Sequence, residues 1–155
     1  MIKIEECSYF LSPTDLGRIN QLLKHLSPSA EVLSKESLNL VQQRGFIFTA
    51  RDTDTPDPMS KNGDGVIIGM ATIIFIPKLV GLVAQIEDVS VDENYQRQGI
   101  AKGLYEKLLA LAKERHAKHI DLTCNPNRVA ANIFYQGLGF KRRDTNNYRL
   151  VINSA

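Results

Sequence analysis

Gln96-Arg97-Gln98-Gly99-Ile100-Ala101-Lys102 is the stretch of this chain whose residue types and order could do chemistry. Before it, Ile86, Val89 and Val91 read as a strand that ends at Asp92. After it, Ile100, Leu104, Leu108 and Leu111 recur at spacings of four, four and three. The period therefore changes from two to 3.6, and a helix begins. A helix that opens this way leaves its first N–H groups unpaired, pointing out of its N-terminus with partial positive charge. A phosphate or pyrophosphate suits such an end. Gly99 lets a ligand come close to the backbone, while Arg97 and Lys102 add positive charge. On residue chemistry alone an ordinary strand-to-helix turn accounts for the same pattern. The stretch has no Gly-rich run ending in Lys and Ser or Thr, so it is not a P-loop, and its glycines do not fall as GxGxxG.

Other reactive residues give weaker patterns. Cys124 and His119 are five apart and would face opposite sides of a strand, so they do not make a nucleophile and its base. Cys7 and Cys124 have neither a disulfide framework nor metal-ligand spacing, and no metal site is expected. His116 and His119 read as exposed or structural.

A resemblance enters at this point. Gln96, Gly99 and Ala101 match Gln or Arg, two residues, Gly, one residue, Gly or Ala, and the segment resembles the acyl-CoA-binding signature of the GNAT superfamily. These are acetyl-CoA-dependent N-acetyltransferases. The preceding IEDVSVD and the amphipathic helix that follows match as well, and a second block, NPNRVAANIFYQGLGF from Asn125 to Phe140, lies in the expected order and spacing. The form with Arg128 and a following Ala-Asn is similar to that of uncharacterised bacterial-type members.

The resemblance implies transfer of an acetyl group from acetyl-CoA to a primary amine, by direct attack in a ternary complex with no covalent intermediate. It implies that the pantetheine arm pairs with the strand Glu87 to Val91, through the main chain of Val89 and Val91, and that the pyrophosphate meets the amides from Gln98 to Lys102. Gln96, Arg97, Gly99, Ile100 and Ala101 belong to the same cofactor-binding turn. Tyr135, followed by Gly139-Phe140, matches the family tyrosine that acts as general acid to the departing thiolate or orients it. Glu87 is the candidate general base, and could instead bind the substrate ammonium. Asp88 would face the other side of a regular strand, and a bulge would swap the two. Where many members have an asparagine, this chain has Arg128, which could contact cofactor phosphate or an acidic acceptor group; Asn132 could reach the pantetheine or its phosphate end. The alternative function is a regulatory protein that binds acyl-CoA without turnover. Relatives pair through sheet edges or helices, and residues 148–152 are the edge that would serve a homodimer.

The elements that must position these residues follow from the patterning. Ile2 and Ile4 alternate in a first strand; Ser12-Pro13 and Asp15 start a helix that runs to Ser27-Pro28. A second helix runs from about Ser34 to Gly45, and the resemblance puts both helices at the acceptor site. Strands follow over 45–50, 66–76 and from Leu82, an antiparallel meander. Between the first two, DTDTPDPMSKNGD at 52–64 reads as a long, mobile, solvated hairpin loop. The long helix, a strand near 119–123, the helix of the second block and a last strand at 148–152 complete the order β-α-α-β-β-β-α-β-α-β. The expectation is an α/β (α+β mixed) fold, with one central mixed, mostly antiparallel sheet flanked by helices on both faces, as a single N-acetyltransferase domain over 1–155.

Composition bounds the rest. At 155 residues, with 43% hydrophobic and 23% charged, the chain suits one soluble domain. A net charge of +2 with scattered basic residues excludes nucleic acid as the expected partner. With no apolar run of membrane length, no membrane partner is expected and cytoplasmic is the default. The acceptor is expected to be a small-molecule amine or a peptide amine.

Overall fold

A computed structural model describes residues 1–7, 11–58 and 64–152. The elements are β1 (Ile2–Glu6), α1 (Pro13–Leu26), α2 (Lys35–Arg44), β2 (Gly45–Asp52), β3 (Val66–Lys78), β4 (Gly81–Val91), α3 (Ile100–Glu114), β5 (Ile120–Leu122) and α4 (Val129–Gly137). A single 3-10 turn, Glu93–Tyr95, lies between β4 and α3. They fall into two compact units, Met1–Leu122 and the residues from Thr123 onward.

The first unit holds one sheet in the order β1-β2-β3-β4-β5. The first four strands pair antiparallel, and β5 pairs parallel to β4 through the α3 connection. Polar caps start the two leading helices. Ser12 Oγ accepts the Asp15 amide at 3.0 Å and the Asp15 carboxylate accepts the Ser12 amide at 3.3 Å, a reciprocal cap with Pro13 at the first position. Ser34 Oγ accepts the Ser37 amide at 3.1 Å to start α2.

Two layers of helix cover opposite faces of the sheet. Ile19 and Leu22 of α1 pack with Ile67 and Met70, and Leu38 of α2 packs with Ile47 and Cys7, the two clusters sharing Leu11 and Leu33. Gly69 faces the other way, since a Cβ added there would stand 3.2 Å from Ile100 of α3. Leu104 and Leu108 are fully buried on that side, each worth about 1.5–3 kcal/mol of transfer free energy. Ile100, Leu104 and Leu108 are three of the four residues of the predicted stripe; the fourth, Leu111, is half-buried and Ala112 is buried in its place.

One local expectation changes. The residues at 148–152 form no strand and pair with no other strand among the described residues; Leu150, Val151 and Ile152 are exposed. Alternation of apolar residues gives a face but not a partner, and a strand without a ladder has little stability of its own. In the described part of the 52–64 loop, residues 54–56 and 58 are exposed and Asp57 is anchored. Asp57 is buried and accepts from Ser12 Oγ at 3.1 Å, and the Val66 amide donates to the Thr55 carbonyl at 3.1 Å. Its polar side chains satisfy one another and the α1 cap; residues 59–63 lie outside the described residues.

No helix among the described residues is long and apolar enough to cross a membrane. No group of three or more His, Cys, Asp or Glu side chains among them could hold a metal ion.

Candidate functional site

Strand β4 is paired on both sides only in its first half. Ala84, Gln85 and Ile86 pair with Ile120, Asp121 and Leu122 of β5, and the ladder stops there. From Glu87 to Val91 the strand remains paired with β3, and its other edge has no ladder partner among the described residues. Such an edge offers main-chain donors and acceptors to an extended ligand. Val89 and Val91 lie on this segment. Gln96 reaches back to it, its Nε2 donating to the Val91 carbonyl at 3.4 Å.

The same segment carries a β-bulge. Met70 pairs with Ser90 and Thr72 with Glu87, so Asp88 and Val89 together stand opposite Ala71. Asp88 takes the left-handed conformation, φ 55°. On β3, Thr72 is two residues from Met70 and shares its face, toward α1. Ser90 points the same way, its Oγ donating to the Leu22 carbonyl at 3.0 Å. The bulge turns the Asp88 carboxylate to accept a hydrogen bond from Thr72 as well. The strict alternation that would send Asp88 to the opposite side of the sheet from Glu87 is therefore lost.

The two carboxylates differ in surroundings. Gln85 Nε2 donates to Glu87 Oε1 at 2.5 Å. Burial holds the Asp88 carboxyl above its ordinary value, the Glu87 charge adds to the rise, and the hydrogen bond from Thr72 opposes it. The Asp88 residue is exposed overall while its carboxylate meets the buried Thr72, so it is both desolvated and reachable.

The turn that follows is built from unusual backbone. Arg97 and Gly99 both have positive φ, 59° and 80°, and Gly99 is the N-cap of α3 with no side-chain cap. The first α3 amides, in Ile100, Ala101 and Lys102, thus begin a helix that no side chain closes. A Cβ on Gly99 would meet nothing within 4 Å, leaving the space before these amides open. Arg97, Gln98 and Gly99 are exposed, Ile100 is anchored in the core, and Lys102 lies 4.0 Å from Glu106 on the helix surface. A free strand edge running into an uncapped helix start fits a ligand with an extended amide-bearing arm and a pyrophosphate, as in acyl-CoA.

In the second unit, α4 presents Arg128, Asn132 and Tyr135. Asn132 Nδ2 donates to the carbonyls of Asn125 and Arg128, both at 2.9 Å. Both of its N–H groups are spent on this turn, and only Oδ1 is left for any other partner. Arg128 is the N-cap residue and caps with no side-chain bond. The end of α4 fixes Tyr135. Gly139, φ 94°, donates to the Gln136 carbonyl at 3.0 Å and Phe140 donates to the Tyr135 carbonyl at 3.1 Å, a Schellman termination. The Phe140 ring then packs edge-on to Tyr135, centroids 5.9 Å apart, with Phe134 at 5.4 Å on the tyrosine ring. This gives the Gly-Phe pair after the tyrosine a physical reason. Burial pushes the Tyr135 phenol above its ordinary value of 10.0, the nearby Cys124 adds to this and Arg128 opposes it.

Sequence reasoning named Asp88 as the alternative to Glu87 and left the bulge open, because a bulge has no pattern of its own; it missed two residues that shape the site. Arg18 and Tyr95 act across the fold: Arg18 donates to Asp92 at 2.8 Å and the Tyr95 hydroxyl to Asp52 at 2.9 Å, on residues 74 and 43 positions away.

Comparison with known proteins agrees with this geometry. Residues 20–140 match the Acetyltransferase (GNAT) family. The chain is 38% identical over 74 residues to N-acetylaspartate synthetase of Xenopus tropicalis, a match that covers 41% of this chain and 27% of that protein. The chain therefore spans about a quarter of that relative's length. It is 27% identical over 139 residues to glucosamine 6-phosphate N-acetyltransferase of Trypanosoma brucei brucei, covering 86% of this chain and 88% of that protein. A crystal structure described as a transcriptional regulator from Bacillus halodurans C-125 superposes with a TM-score of 0.76 at 22% identity, over 98% of this chain and all of that one, and shares the fold.

Proposed function

The chain belongs to the acetyltransferase (GNAT) family, and from that premise we propose that it is an acetyl-CoA-dependent N-acetyltransferase acting on a primary amine of a small molecule or peptide. The observation that carries the reading is the unpaired edge of β4 leading into the uncapped start of α3. In this reading Val89 and Val91 hold the pantetheine arm through the main chain, and the amides of Gln98 to Lys102 hold the pyrophosphate, with Gln96 and Arg97 beside them. The family match crosses both compact units, which supports treating 1–155 as one domain.

Acetyl-CoA, when bound, supplies the thioester carbonyl and a thiolate leaving group. This chain supplies the proton traffic. The acceptor arrives as an ammonium and must lose a proton before its lone pair can attack; Glu87, with Asp88 beside it in the bulge, takes that proton. Asp88's raised pKa moves it toward the range in which a carboxylate is a useful base. Tyr135 gives its phenolic proton to the departing sulfur, and its raised pKa keeps that proton in place at neutral pH. Arg128 contacts cofactor phosphate or an acidic group of the acceptor, and Asn132 has Oδ1 to offer the cofactor.

Thiol release from acetyl-CoA across amino acids, polyamines, amino sugars, aminoglycosides and peptides tests the reading. Turnover with one amine class supports it. Acetyl-CoA binding by calorimetry without turnover on any amine favours the alternative, an acyl-CoA-binding regulator, and no binding at all removes both. A homodimer belongs to the same reading, with no pairing edge assigned now that residues 148–152 form no strand, and a monomeric mass in solution would end it.

A further inference from the structure

The turn from Glu93 to Gly99 has little packing to hold its shape. Glu93, Asn94 and Gln96 to Gly99 are all exposed; beside the Gln96 contact to the Val91 carbonyl, two longer-range polar tethers bind this region to the rest of the first unit. One is the Tyr95 hydroxyl, which donates to Asp52 Oδ2 at 2.9 Å. The other is Arg18 on α1. Its Nη2 donates to Asp92 Oδ2 at 2.8 Å, its Nε to the Ile67 carbonyl at 3.0 Å, and its Nη1 to Gln21 Oε1 at 2.9 Å. The planar guanidinium thus joins α1, β3 and the end of β4 at once, which a point charge on a flexible stem could not do.

Asp92 is the other half of this node. Its Oδ1 accepts from the Asn94 amide at 2.9 Å and the Asn94 side chain at 3.2 Å, while its own amide donates to the Ile68 carbonyl at 2.8 Å. One carboxylate oxygen faces Arg18 and the other starts the 3-10 turn. The Arg18 and Asp92 side chains are 25% and 13% exposed, against 64% and 61% for the surface pair Lys102–Glu106. The pair is therefore shielded enough to fix geometry, where the surface pair is open to solvent and salt. Burial acts to raise the Asp92 pKa, but the Asn94 amide and the Arg18 guanidinium outweigh it and hold the carboxyl below its ordinary value.

We propose that Arg18 is a positioning residue for acyl-CoA: it touches no part of the cofactor, and holds Asp92 so that Arg97 to Lys102 keep the backbone shape that receives the pyrophosphate. The proposal rests on the reading of that turn as the cofactor cradle. It also ties α1 to the cofactor side of the molecule through one side chain.

The test is calorimetric titration with acetyl-CoA, beside a thermal melt of each variant. The unaltered protein is measured first, and a failure to bind acetyl-CoA there overturns the cradle itself. With binding established, Arg18→Gln is expected to weaken acetyl-CoA about tenfold, the size of effect that loss of a shielded charge-assisted hydrogen bond allows. Arg18→Lys, which keeps the charge and one donor, is expected to recover part of that loss. Asp92→Asn separates positioning from a simple field effect. Removing a negative charge near an anion site tightens binding if only charge matters; it weakens binding if Asp92 acts by holding the turn. Unchanged affinity in Arg18→Gln and Asp92→Asn, even with lowered melting temperatures, overturns the positioning role and leaves the cradle standing, as does tighter binding by Asp92→Asn. Should Arg18→Gln fail to fold, Arg18→Lys and Asp92→Asn carry the same comparison.

Discussion

Thr72 stands opposite Glu87 in the β3–β4 ladder, yet Thr72 also hydrogen-bonds the side chain of Asp88. The bulge makes this double relation, and it places two carboxyls where one negative charge disfavours the other. Burial first, and the Glu87 charge after it, keep the Asp88 pKa raised in the folded protein, and its neutral form is favoured by folding. Its contribution to stability is fully present below its ordinary pKa of 3.8 and is lost as pH rises through the folded-state value. Asp88→Asn stays neutral throughout. Its melting temperature should exceed that of the unaltered protein at pH 7 and match it at pH 3, as scanning calorimetry at the two values would record.

In the proposed mechanism the same pair sets the acid limb of activity. Glu87→Gln leaves the burial of Asp88 in place and removes the Glu87 charge that adds to its rise, so a base function carried by Asp88 would survive with its limb displaced to lower pH. A base function carried by Glu87 would instead be lost, by about 10²-fold or more and most visibly at low pH, where the amine needs deprotonating. A pH profile of kcat/KM for Glu87→Gln and Asp88→Asn distinguishes the two. Profiles for both that match the parent would remove this pair as the base.

Tyr135→Phe keeps the ring packing against Phe134 and Phe140 and removes only the hydroxyl. The expected result is a kcat lower by about 10²-fold with acetyl-CoA affinity nearly unchanged, the signature of a group needed in the transition state alone. Stopped-flow or steady-state thiol release beside calorimetry gives both numbers. Unchanged kcat would leave Tyr135 an aromatic at a helix end.

How much of this was legible in the sequence depended on distance along the chain. Period and caps are local, so the α1 start at Ser12-Pro13-Asp15, the α3 stripe of Ile100, Leu104 and Leu108 and the meander through β4 could be read directly. The uncapped turn at Gly99 was legible for the same reason. The bulge at Asp88 was not, because it depends on how β4 is registered against β3, and register is a property of two strands. The polarity of 52–64 gave no sign of the Asp57–Ser12 contact, since the two meet only once α1 and the loop are both folded. The apolar alternation at 148–152 misled, because a pattern names a face and the ladder needs a neighbour.

Gly99 has φ 80° with no atom near its missing Cβ. Gly99→Ala should therefore fold without a clash and lose about 1–2 kcal/mol from the left-handed backbone alone. The new methyl would also occupy the open space before the α3 amides, so acetyl-CoA affinity should fall by more than the stability change implies. Calorimetry at a temperature where the variant is fully folded separates the two effects, and full affinity there would move the pyrophosphate away from this turn.

Asp15 and Arg51 form the buried ion pair of the first unit, with Nη1 to Oδ1 at 2.7 Å and Nη2 to Oδ2 at 3.0 Å. Their side chains are 7% and 9% exposed, and Nη1 also donates to the Gly65 carbonyl at 2.9 Å. The bidentate pair pins the α1 start to the end of β2, and Asp15 completes the α1 cap. Asp15→Ala leaves the guanidinium buried with only the half-exposed Glu5 carboxylate, 3.9 Å from Nε, and should cost about 3 kcal/mol, the low end for a broken buried pair. Replacing both partners, as in Asp15→Leu with Arg51→Met, removes the stranded charge and should cost much less, with the lost cap as the residual. Urea melts of the single and double variants measure the difference. Equal losses in both would mean that packing and the cap, and not the uncompensated charge, decide the stability of this corner, from which Arg18 reaches across to Asp92.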